Sequence, residues 1–203
     1  KIIVTVGFLL SDDTLAAAKK NPSIKFAIVD NNDPKTYPAA KNLKPLIFNT
    51  AQSSFLAGYV AAGMSQTKKV GTFGGLNIPT VTIFMDGFAR GVEHYNEVKD
   101  KDVKVLGWDK DAKTGSFTGD FKNVANGKTN TANFINEGAD IVMPVAGPVG
   151  LGTLDAVREE VRRGTPVVGM EPSCLAVFKD ELTKLLPHDD DARRLAGNAY
   201  HFA

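Results

Sequence analysis

The stretch that decides the fold is K-V-G-T-F-G-G-L-N-I-P-T-V-T-I-F-M-D-G-F, residues Lys69 to Phe88. It starts with a short run rich in β-branched and aromatic residues at Val70–Phe73, passes through two glycines and continues with apolar residues at helical spacing. A strand that leads through a glycine turn into an amphipathic helix is the repeating unit of α/β folds. The stretch therefore predicts a strand, a loop at its carboxyl end and a helix from Thr80 to Tyr95.

The same alternation runs along the rest of the chain. Ile2–Phe8 is a near-continuous apolar run, which is typical of a strand buried on both faces of a parallel sheet. Further strands are predicted at Ile24–Val29, Leu46–Phe48, Val103–Trp108, Ile141–Val145 and Pro166–Met170, and further helices at Ser11–Lys20, Ala51–Met64, Asn130–Glu137, Leu154–Arg162, Cys174–Leu186 and Asp191–His201. We therefore expect an α/β fold with parallel sheets flanked by helices.

Composition narrows the classes of function. With 203 residues, 43% of them hydrophobic, the chain can form one large domain or two small lobes. Its 24 basic and 23 acidic residues create no overall field for nucleic acid or for an anionic membrane. No apolar run approaches the roughly 20 residues that span a bilayer, and the start at Lys1 lacks a signal-peptide pattern. A single cysteine can form neither an internal disulfide nor a thiolate cluster, so we expect no metal and no cofactor.

A boundary is predicted at the polar segment Ser65–Lys69, between a complete helix and a new strand. The predicted division is a partial first lobe at residues 1–66, a second lobe at residues 67–171 and a helical C-terminal segment at residues 172–203.

Candidate binding residues follow the predicted strands, because ligands of open α/β sheets bind beyond the carboxyl ends of the strands. They provide backbone N–H groups, aromatic faces and an amide, and they are Phe8, Gly74, Gly75, Asn77, Trp108, Ala146, Gly147 and Gly150. The glycine pair is not a G-x-G-x-x-G motif and no Walker lysine follows it, which argues against a nucleotide-phosphate site. Two simpler roles stay open: the glycine pair could serve only the turn, and Trp108 could pack in the core instead of stacking on a ligand.

Five stretches, taken in order, resemble the basic membrane protein family of ABC-transporter substrate-binding lipoproteins. They are V-G-F-L-L, K-F-A-I-V-D, F-N-T-A-Q-S-S-F-L-A-G-Y-V-A-A-G, K-V-G-T-F-G-G-L-N-I-P-T-V-T-I-F-M-D-G-F and G-A-D-I-V-M-P-V-A-G-P-V-G-L-G, and they lie between Lys1 and Gly152.

The resemblance implies a type I periplasmic-binding-protein fold with two lobes that close on a purine nucleoside. It also implies a transporter permease as partner, a periplasmic or cell-surface location, a lipid anchor that this chain does not contain, and no enzymatic activity. The family's first β-α-β unit does not precede Lys1, so we expect a truncated first lobe. Glu171 falls where the family has its ribose-binding Asp.

The last fifty residues resemble a different family. The run D-A-V-R-E-E-V-R-R-G-T-P-V-V-G-M-E-P-S-C-L-A-V-F-K-D-E-L, together with L-L-P-H-D-D-D-A-R-R-L-A, is similar to the cysteine-rich domain of glycolate-oxidase-type iron–sulfur subunits. In that family the cysteine of E-P-S-C belongs to a set of several cysteines, whereas Cys174 stands alone here. The change near Gly152 therefore indicates a fused or chimeric chain.

Two alternative functions stay open. One is an inactive or engineered scaffold, in which Asp30, Asp86, Asp109 and Asp120 serve as caps, turns or surface charges. The other is a fragment of an iron–sulfur or flavin oxidoreductase subunit, in which Cys174 is a thiol ligand or a nucleophile. His94 and His188 are the possible bases for that cysteine, although no spacing places either near it.

Overall fold

The computed structural model describes residues 1–31, 40–163, 167–169, 179–180, 182–185 and 187–201. Its strands are β1 (Ile2–Val6), β2 (Lys25–Val29), β3 (Leu43–Leu46), β4 (Lys69–Gly74), β5 (Lys104–Leu106), β6 (Trp108–Asp109), β7 (Thr114–Gly115), β8 (Ile141–Val145), β9 (Val167–Gly169) and β10 (Ala199–His201). Its α-helices are α1 (Ser11–Lys20), α2 (Thr50–Met64), α3 (Pro79–Lys99), α4 (Val124–Asn136), α5 (Leu151–Ala156), α6 (Arg158–Arg162), α7 (Leu182–Leu185) and α8 (Asp190–Asn198). The predicted fold class, parallel sheets flanked by helices, is confirmed.

The first unit, which we define as β1, α1, β2 and β3, has three parallel strands in the order β1-β2-β3. Its core lies on one face of this sheet, under α1. There Ala18 of α1 joins Phe26, Ile28 and Leu43 in a buried cluster. The β2 side chains on this face are fully covered because β2 is the central strand.

The opposite face of β1 is open to solvent. Ile2, Val4 and Val6 are 67%, 54% and 68% exposed, so the prediction of burial on both faces is wrong for this strand. β1 is an edge strand that pairs with β2, and its alternate residue Thr5 points toward α1, where its hydroxyl lies 2.9 Å from that of Thr14. An apolar run supplies side chains for two faces, but a second layer must be present to bury the second one.

The second unit, which we define as the chain from α2 to β8, has a parallel sheet in the order β5-β4-β8. Helices cover both faces of its central strand β4. Val70 packs in a cluster with Phe88 of α3, and Phe73 packs in another cluster with Phe134 of α4. Successive residues of a strand point to opposite faces, so β4 is the strand buried on both sides.

The helices α2 and α3 approach closely, because glycines replace larger side chains at their crossing. A Cβ added to Gly58 would lie only 2.0 Å from the Phe88 carbonyl oxygen. This contact places the buried face of α2 in the core of the second unit. The predicted division into residues 1–66, 67–171 and 172–203 stays a prediction, and the packing of α2 favours a start of the second lobe near residue 50.

The polar segment between α2 and β4 is held by one carboxylate. The Asp140 oxygens accept hydrogen bonds from the Ser65 hydroxyl at 2.7 Å and from the backbone N–H groups of Gln66 at 2.7 Å and Thr67 at 3.1 Å. Because Asp140 directly precedes β8, these bonds fix the segment at the end of the second sheet where the strands begin.

The position of β3 differs from the prediction of a strand at Leu46–Phe48. The strand lies at Leu43–Leu46 and contains Pro45, opposite Ile28 of β2. The sheet tolerates this proline because β3 is an edge strand, whose outward side needs no hydrogen-bond donor. Lys44 and Pro45 interrupt the apolar pattern, which explains why the sequence favours the later residues.

Strand β8 agrees with the prediction residue for residue, whereas several helix ends differ. α4 begins at Val124, six residues before the predicted start, because the Asn123 side chain accepts a hydrogen bond from the Ala125 N–H and caps it. The predicted helix at Leu154–Arg162 is two short helices, α5 and α6, with α5 starting at residue 151.

The C-terminal segment is joined to the rest of the chain by an ion pair. Arg162 of α6 donates two hydrogen bonds of 2.8 Å to the two carboxylate oxygens of Asp191 in α8. After α8 the chain forms β10, which pairs in parallel with β9, so the predicted helix does not extend to His201. Most of the predicted helix at Cys174–Leu186 lies outside the described residues.

Candidate functional site

The site is built where the carboxyl ends of β4 and β8 meet. The Gly75 N–H donates to the Val145 carbonyl at 3.0 Å, and the Gly74 N–H donates to the Ser116 carbonyl at 3.0 Å. The glycine amides are thus used inside the protein, in the turn itself. The N–H groups of the glycine pair therefore serve the turn, the simpler role that the sequence left open, and are not available to a ligand.

A loop from residue 116 to 121 lies alongside this turn. The Thr118 and Gly119 N–H groups donate to the carbonyl oxygens of Gly74 and Gly75, both at 2.9 Å. This pairing continues the second sheet past the end of β4. It places the side chain of Phe121 where a Cβ on Gly75 would lie only 2.3 Å from the ring. The absence of a side chain at residue 75 makes room for Phe121.

Phe121 meets the predicted site residue Phe8 from the first unit. Their ring centroids are 5.5 Å apart with an angle of 59° between the planes. Phe8 opens the 3-10 turn Phe8–Leu10 directly after β1, and Gly7 before it has a φ of 95°. Both rings are partly exposed. The pair therefore joins the two units and presents aromatic surface at the ends of both sheets.

Of the two glycines in the turn after β8, Gly147 lies near Phe121, whereas Gly150 lies near Pro144. A Cβ on Gly147 would lie 3.9 Å from the Phe121 ring, and Gly147 has a φ of 52° at the start of the 3-10 turn Gly147–Gly150. Ala146 is buried in the core with Val149 and Phe73. Of the residues predicted on this loop, Gly147 is the one beside the aromatic pair.

Trp108 lies behind the site and not on its surface. It is 6% exposed, and its indole Nε1 donates to Asp86 Oδ1 at 3.0 Å. Its ring meets the Phe117 ring edge-on, with centroids 6.0 Å apart and an angle of 88°. This is the packing role that the sequence left open for Trp108, and its ring contact with Phe117 joins the indole to the loop that carries Phe121.

Asn77 is exposed and directed to the neighbouring hairpin. Its side-chain nitrogen lies 3.4 Å from the Lys113 carbonyl oxygen, a long hydrogen bond. The structure therefore brings together Phe8, Gly75 and Gly147 around Phe121, and leaves Asn77 at the edge of this group.

The carboxylates differ in their surroundings. Asp109 accepts hydrogen bonds from the Ala112 and Asp111 N–H groups, and Asp120 accepts them from the Asn123 and Lys122 N–H groups; in each case these bonds lower the pKa. Such short-range bonds are those of turn-forming aspartates.

Asp30 is different. It directly follows β2, has a φ of 59°, and partial burial raises the pKa of its carboxyl. No hydrogen bond from a described residue to this carboxylate is present, while its N–H donates to the Leu46 carbonyl at 3.0 Å. The Gly7 N–H, just before the Phe8 turn, donates to the Val29 carbonyl at 2.9 Å. Asp30 is the next residue after Val29 and therefore lies beside the Phe8 turn. Asp30 is exposed to solvent, so its carboxylate can accept a hydrogen bond from a hydroxyl or amine donor at this strand end.

Sequence reasoning missed Phe121, Phe117 and the role of Asp30. A usable signal was present in the run G-S-F-T-G-D-F, residues 115 to 121, where two aromatic residues stand in an otherwise small and polar loop. Binding residues lie disproportionately on loops that a rigid scaffold positions. Glu171 and Cys174 lie outside the described residues.

The described ranges bear on three other kinds of site: a histidine base, a metal centre and a membrane-spanning helix. His94 lies 3.7 Å from Glu97 and its ring is near the rings of Phe55 and Tyr59, on the surface of α3. Within the described parts of the chain, no group of three His, Cys, Asp or Glu residues is arranged to hold a metal ion. None of the described helices combines the length and the apolar character needed to cross a membrane.

Comparison with known proteins places these features in a family. The family model Bmp, described as ABC transporter substrate-binding protein PnrA-like, matches residues 1–171. Basic membrane protein B of Borreliella burgdorferi is 28% identical over 201 residues, which cover 98% of this chain and 55% of that protein. The ABC transporter nucleoside-binding protein BmpA of Lactococcus lactis subsp. cremoris is 35% identical over 158 residues, covering 78% of this chain and 40% of that protein.

A solved structure shows the same fold. The ABC transporter solute-binding protein of Aeropyrum pernix K1 superposes with a TM-score of 0.71 at 22% identity, covering 99% of this chain and 57% of that one. The chain thus spans about half the length of the relatives that it matches.

The matches continue past the predicted change of family at Gly152. The family model extends 19 residues further, to residue 171, and the alignment with Basic membrane protein B covers 98% of the chain. The comparisons do not show the iron–sulfur resemblance of residues 154–203 or a fusion, and both stay predictions.

Proposed function

The chain belongs to the Bmp family of PnrA-like ABC transporter substrate-binding proteins, and we propose that it binds a purine nucleoside outside the cytoplasmic membrane for uptake by an ABC transporter permease. The relative from Lactococcus lactis, a nucleoside-binding protein, supports the ligand class. Binding of a solute requires no catalytic group, so the role is recognition and delivery.

The observation that carries this proposal is the pair of rings at the ends of the two sheets. Phe8 and Phe121 come from different units and lie 5.5 Å apart between centroids. A flat heterocycle stacks on aromatic faces, and one such contact contributes about 1–3 kcal/mol to the binding of a nucleobase. We propose that these two rings contact the base.

The polar part of the ligand requires different partners. The Asp30 carboxylate follows the strand beside the Phe8 turn and accepts no hydrogen bond from a described residue. Ribose hydroxyls donate well to such a carboxylate, because charge-assisted hydrogen bonds are stronger than neutral ones. We propose Asp30 as the sugar-binding acceptor of the first unit, with the backbone at Gly147 beside the base. Glu171, Asn77 and Gly150 stay proposed ligand residues.

Partner and location follow from the family. Substrate-binding proteins of ABC transporters deliver their solute to membrane components on the outer side of the cytoplasmic membrane. A permease partner, a periplasmic or cell-surface location and a lipid anchor are therefore part of the proposal.

The test is isothermal titration calorimetry of the chain with guanosine, adenosine and inosine. We expect at least one nucleoside to bind with a dissociation constant of about 0.1–10 µM, or about 7–10 kcal/mol. Ribose should bind at least roughly 30-fold more weakly, because it cannot stack on either ring. Absence of measurable heat with all three nucleosides at millimolar concentration would contradict the proposal.

The inactive scaffold is the alternative that one observation favours. The open apolar face of β1 shows that the first unit lacks a second layer among the described residues. A scaffold without a complete first lobe would give no nucleoside binding in the same titration.

A further inference from the structure

The short hairpin β6–β7 is anchored to α3 by three side-chain contacts. Asp86 of α3 accepts from the Trp108 indole at 3.0 Å and from the Lys113 ammonium at 2.9 and 2.7 Å. Lys110 in the turn of the hairpin lies 3.1 Å from the Glu93 carboxylate, also on α3. The first strand of the hairpin and both ends of its turn are therefore held to one helix.

The hairpin leads directly into the loop that carries Phe121. The Ser116 N–H donates to the Gly107 carbonyl at 2.8 Å, which closes the hairpin at its base. The next residue, Phe117, packs edge-on against Trp108 and lies beside Gly74 in the sheet. The orientation of Trp108 thus determines where residue 117 can lie.

The contacts continue from Phe117 to Phe121. Both rings pack against one buried cluster, which contains Trp108 and Met85 of α3. The Thr118 hydroxyl donates to the Asp120 carbonyl at 2.8 Å and fixes the turn between the two rings. A continuous set of contacts therefore leads from Asp86 to the ring that faces Phe8.

We infer that Asp86 and Trp108 are positioning residues, which hold the loop from residue 116 to 121 against the end of β4 and so set the place of Phe121. The effect of these residues on ligand binding rests on the proposed function, whereas their effect on the position of the loop does not. Asp86 touches no part of the proposed ligand site itself. Its carboxylate acts through the indole and through Phe117.

The chemistry of Asp86 allows a sharp choice of variants. Asp86→Asn keeps an oxygen that can accept from the indole N–H, whereas Asp86→Leu removes both acceptors at similar size. Trp108→Phe keeps an aromatic ring against Phe117 and removes the N–H. Asp102→Leu is the matched control, because Asp102 pairs with the exposed Lys104 at the surface.

Amide hydrogen exchange of the ligand-free chain tests the positioning itself. In Asp86→Leu we expect exchange across residues 116–121 to accelerate at least roughly tenfold, because local opening there no longer breaks the Asp86 bonds. Exchange in β8 should stay unchanged, and so should exchange in the Asp102→Leu control. Asp86→Asn should restore most of the protection, and Trp108→Phe should give an intermediate loss.

Calorimetry on the same variants tests the consequence for binding. We expect Asp86→Leu to bind the nucleoside roughly tenfold more weakly and Asp86→Asn to stay within about threefold of the wild type. Trp108 is the single tryptophan of the chain, so its emission reports on this contact without a label. Ligand should change the emission of the wild type, and in Asp86→Leu the titration should need roughly tenfold more ligand.

The outcomes separate the two proposals. Unchanged exchange of residues 116–121 in both Asp86→Leu and Trp108→Phe overturns the positioning inference, whether or not the wild type binds a nucleoside. Faster exchange together with a wild type that binds no nucleoside supports the positioning role and contradicts the proposed function. Faster exchange with unchanged nucleoside affinity overturns the link between Asp86 and the ligand.

Discussion

Strands β1 and β4 are the first strands of the two units and have similar apolar runs, yet their surroundings are different. Val4 in β1 is 54% exposed, whereas Val70 in β4 is fully buried. Both strands are parallel to their neighbours, but β4 is central and covered by helices on both faces, while β1 is an edge strand with α1 on one face. Burial is therefore a property of the layers around a strand, and an apolar run alone does not determine it.

The largest expected effect tests this difference with one substitution in each sheet. We expect Val70→Ala to lower the free energy of unfolding by about 2 kcal/mol, because it removes two buried methyl groups and leaves a cavity. Val4→Ala should change it by less than about 0.5 kcal/mol. Urea unfolding followed by circular dichroism measures both. Equal effects of the two substitutions would mean that a second layer covers β1.

A smaller effect concerns the Asp140 carboxylate, which ties the segment after α2 to the second sheet. Burial alone would raise the pKa of Asp140, but hydrogen bonds from Ser65, Thr67 and Gln66 outweigh it and lower the pKa. A lowered pKa in the folded state contributes stability above the unfolded value of about 4, and this contribution disappears as the pH falls through the folded value.

We therefore expect Asp140→Asn to reduce the unfolding free energy by about 0.5–1 kcal/mol at pH 7, since the exposed site weakens these bonds. The difference from the wild type should shrink as the pH falls below the unfolded-state pKa of about 4 and through the lower folded-state pKa. Thermal unfolding across this range measures it, with the surface variant Asp102→Asn as control. If the difference in unfolding free energy stays constant with pH, the negative charge of Asp140 does not strengthen its hydrogen bonds to residues 65–67.

The sequence predicts most of the second unit because its elements are decided by short-range patterns. Ile141–Val145 is correct to the residue, since five apolar residues stand between a Gly-Ala-Asp turn and a glycine loop. The start of α4 needs its Asn123 cap, and β3 needs the edge position that tolerates Pro45. The spacing of apolar residues reveals neither the helix cap nor the edge position of the strand.

The site was predicted in part for the same reason. Phe8 and Gly147 follow apolar strands, so their place at the carboxyl ends can be predicted. The position of Phe121 depends on the pairing of its loop with Gly74 and Gly75, a contact between residues more than forty positions apart. Burial of Trp108 depends on Asp86, which lies on another element. Such tertiary contacts decide which of several aromatic residues faces the ligand.

The most direct test is the nucleoside affinity of Phe121→Ala, measured by calorimetry beside the wild type and beside Val98→Ala, an exposed apolar residue in the last turn of α3. Loss of the Phe121 ring should weaken binding about 10- to 100-fold, while Val98→Ala should leave the dissociation constant unchanged. An affinity of Phe121→Ala equal to that of the wild type would contradict the claim that the aromatic rings of the two units contact the base.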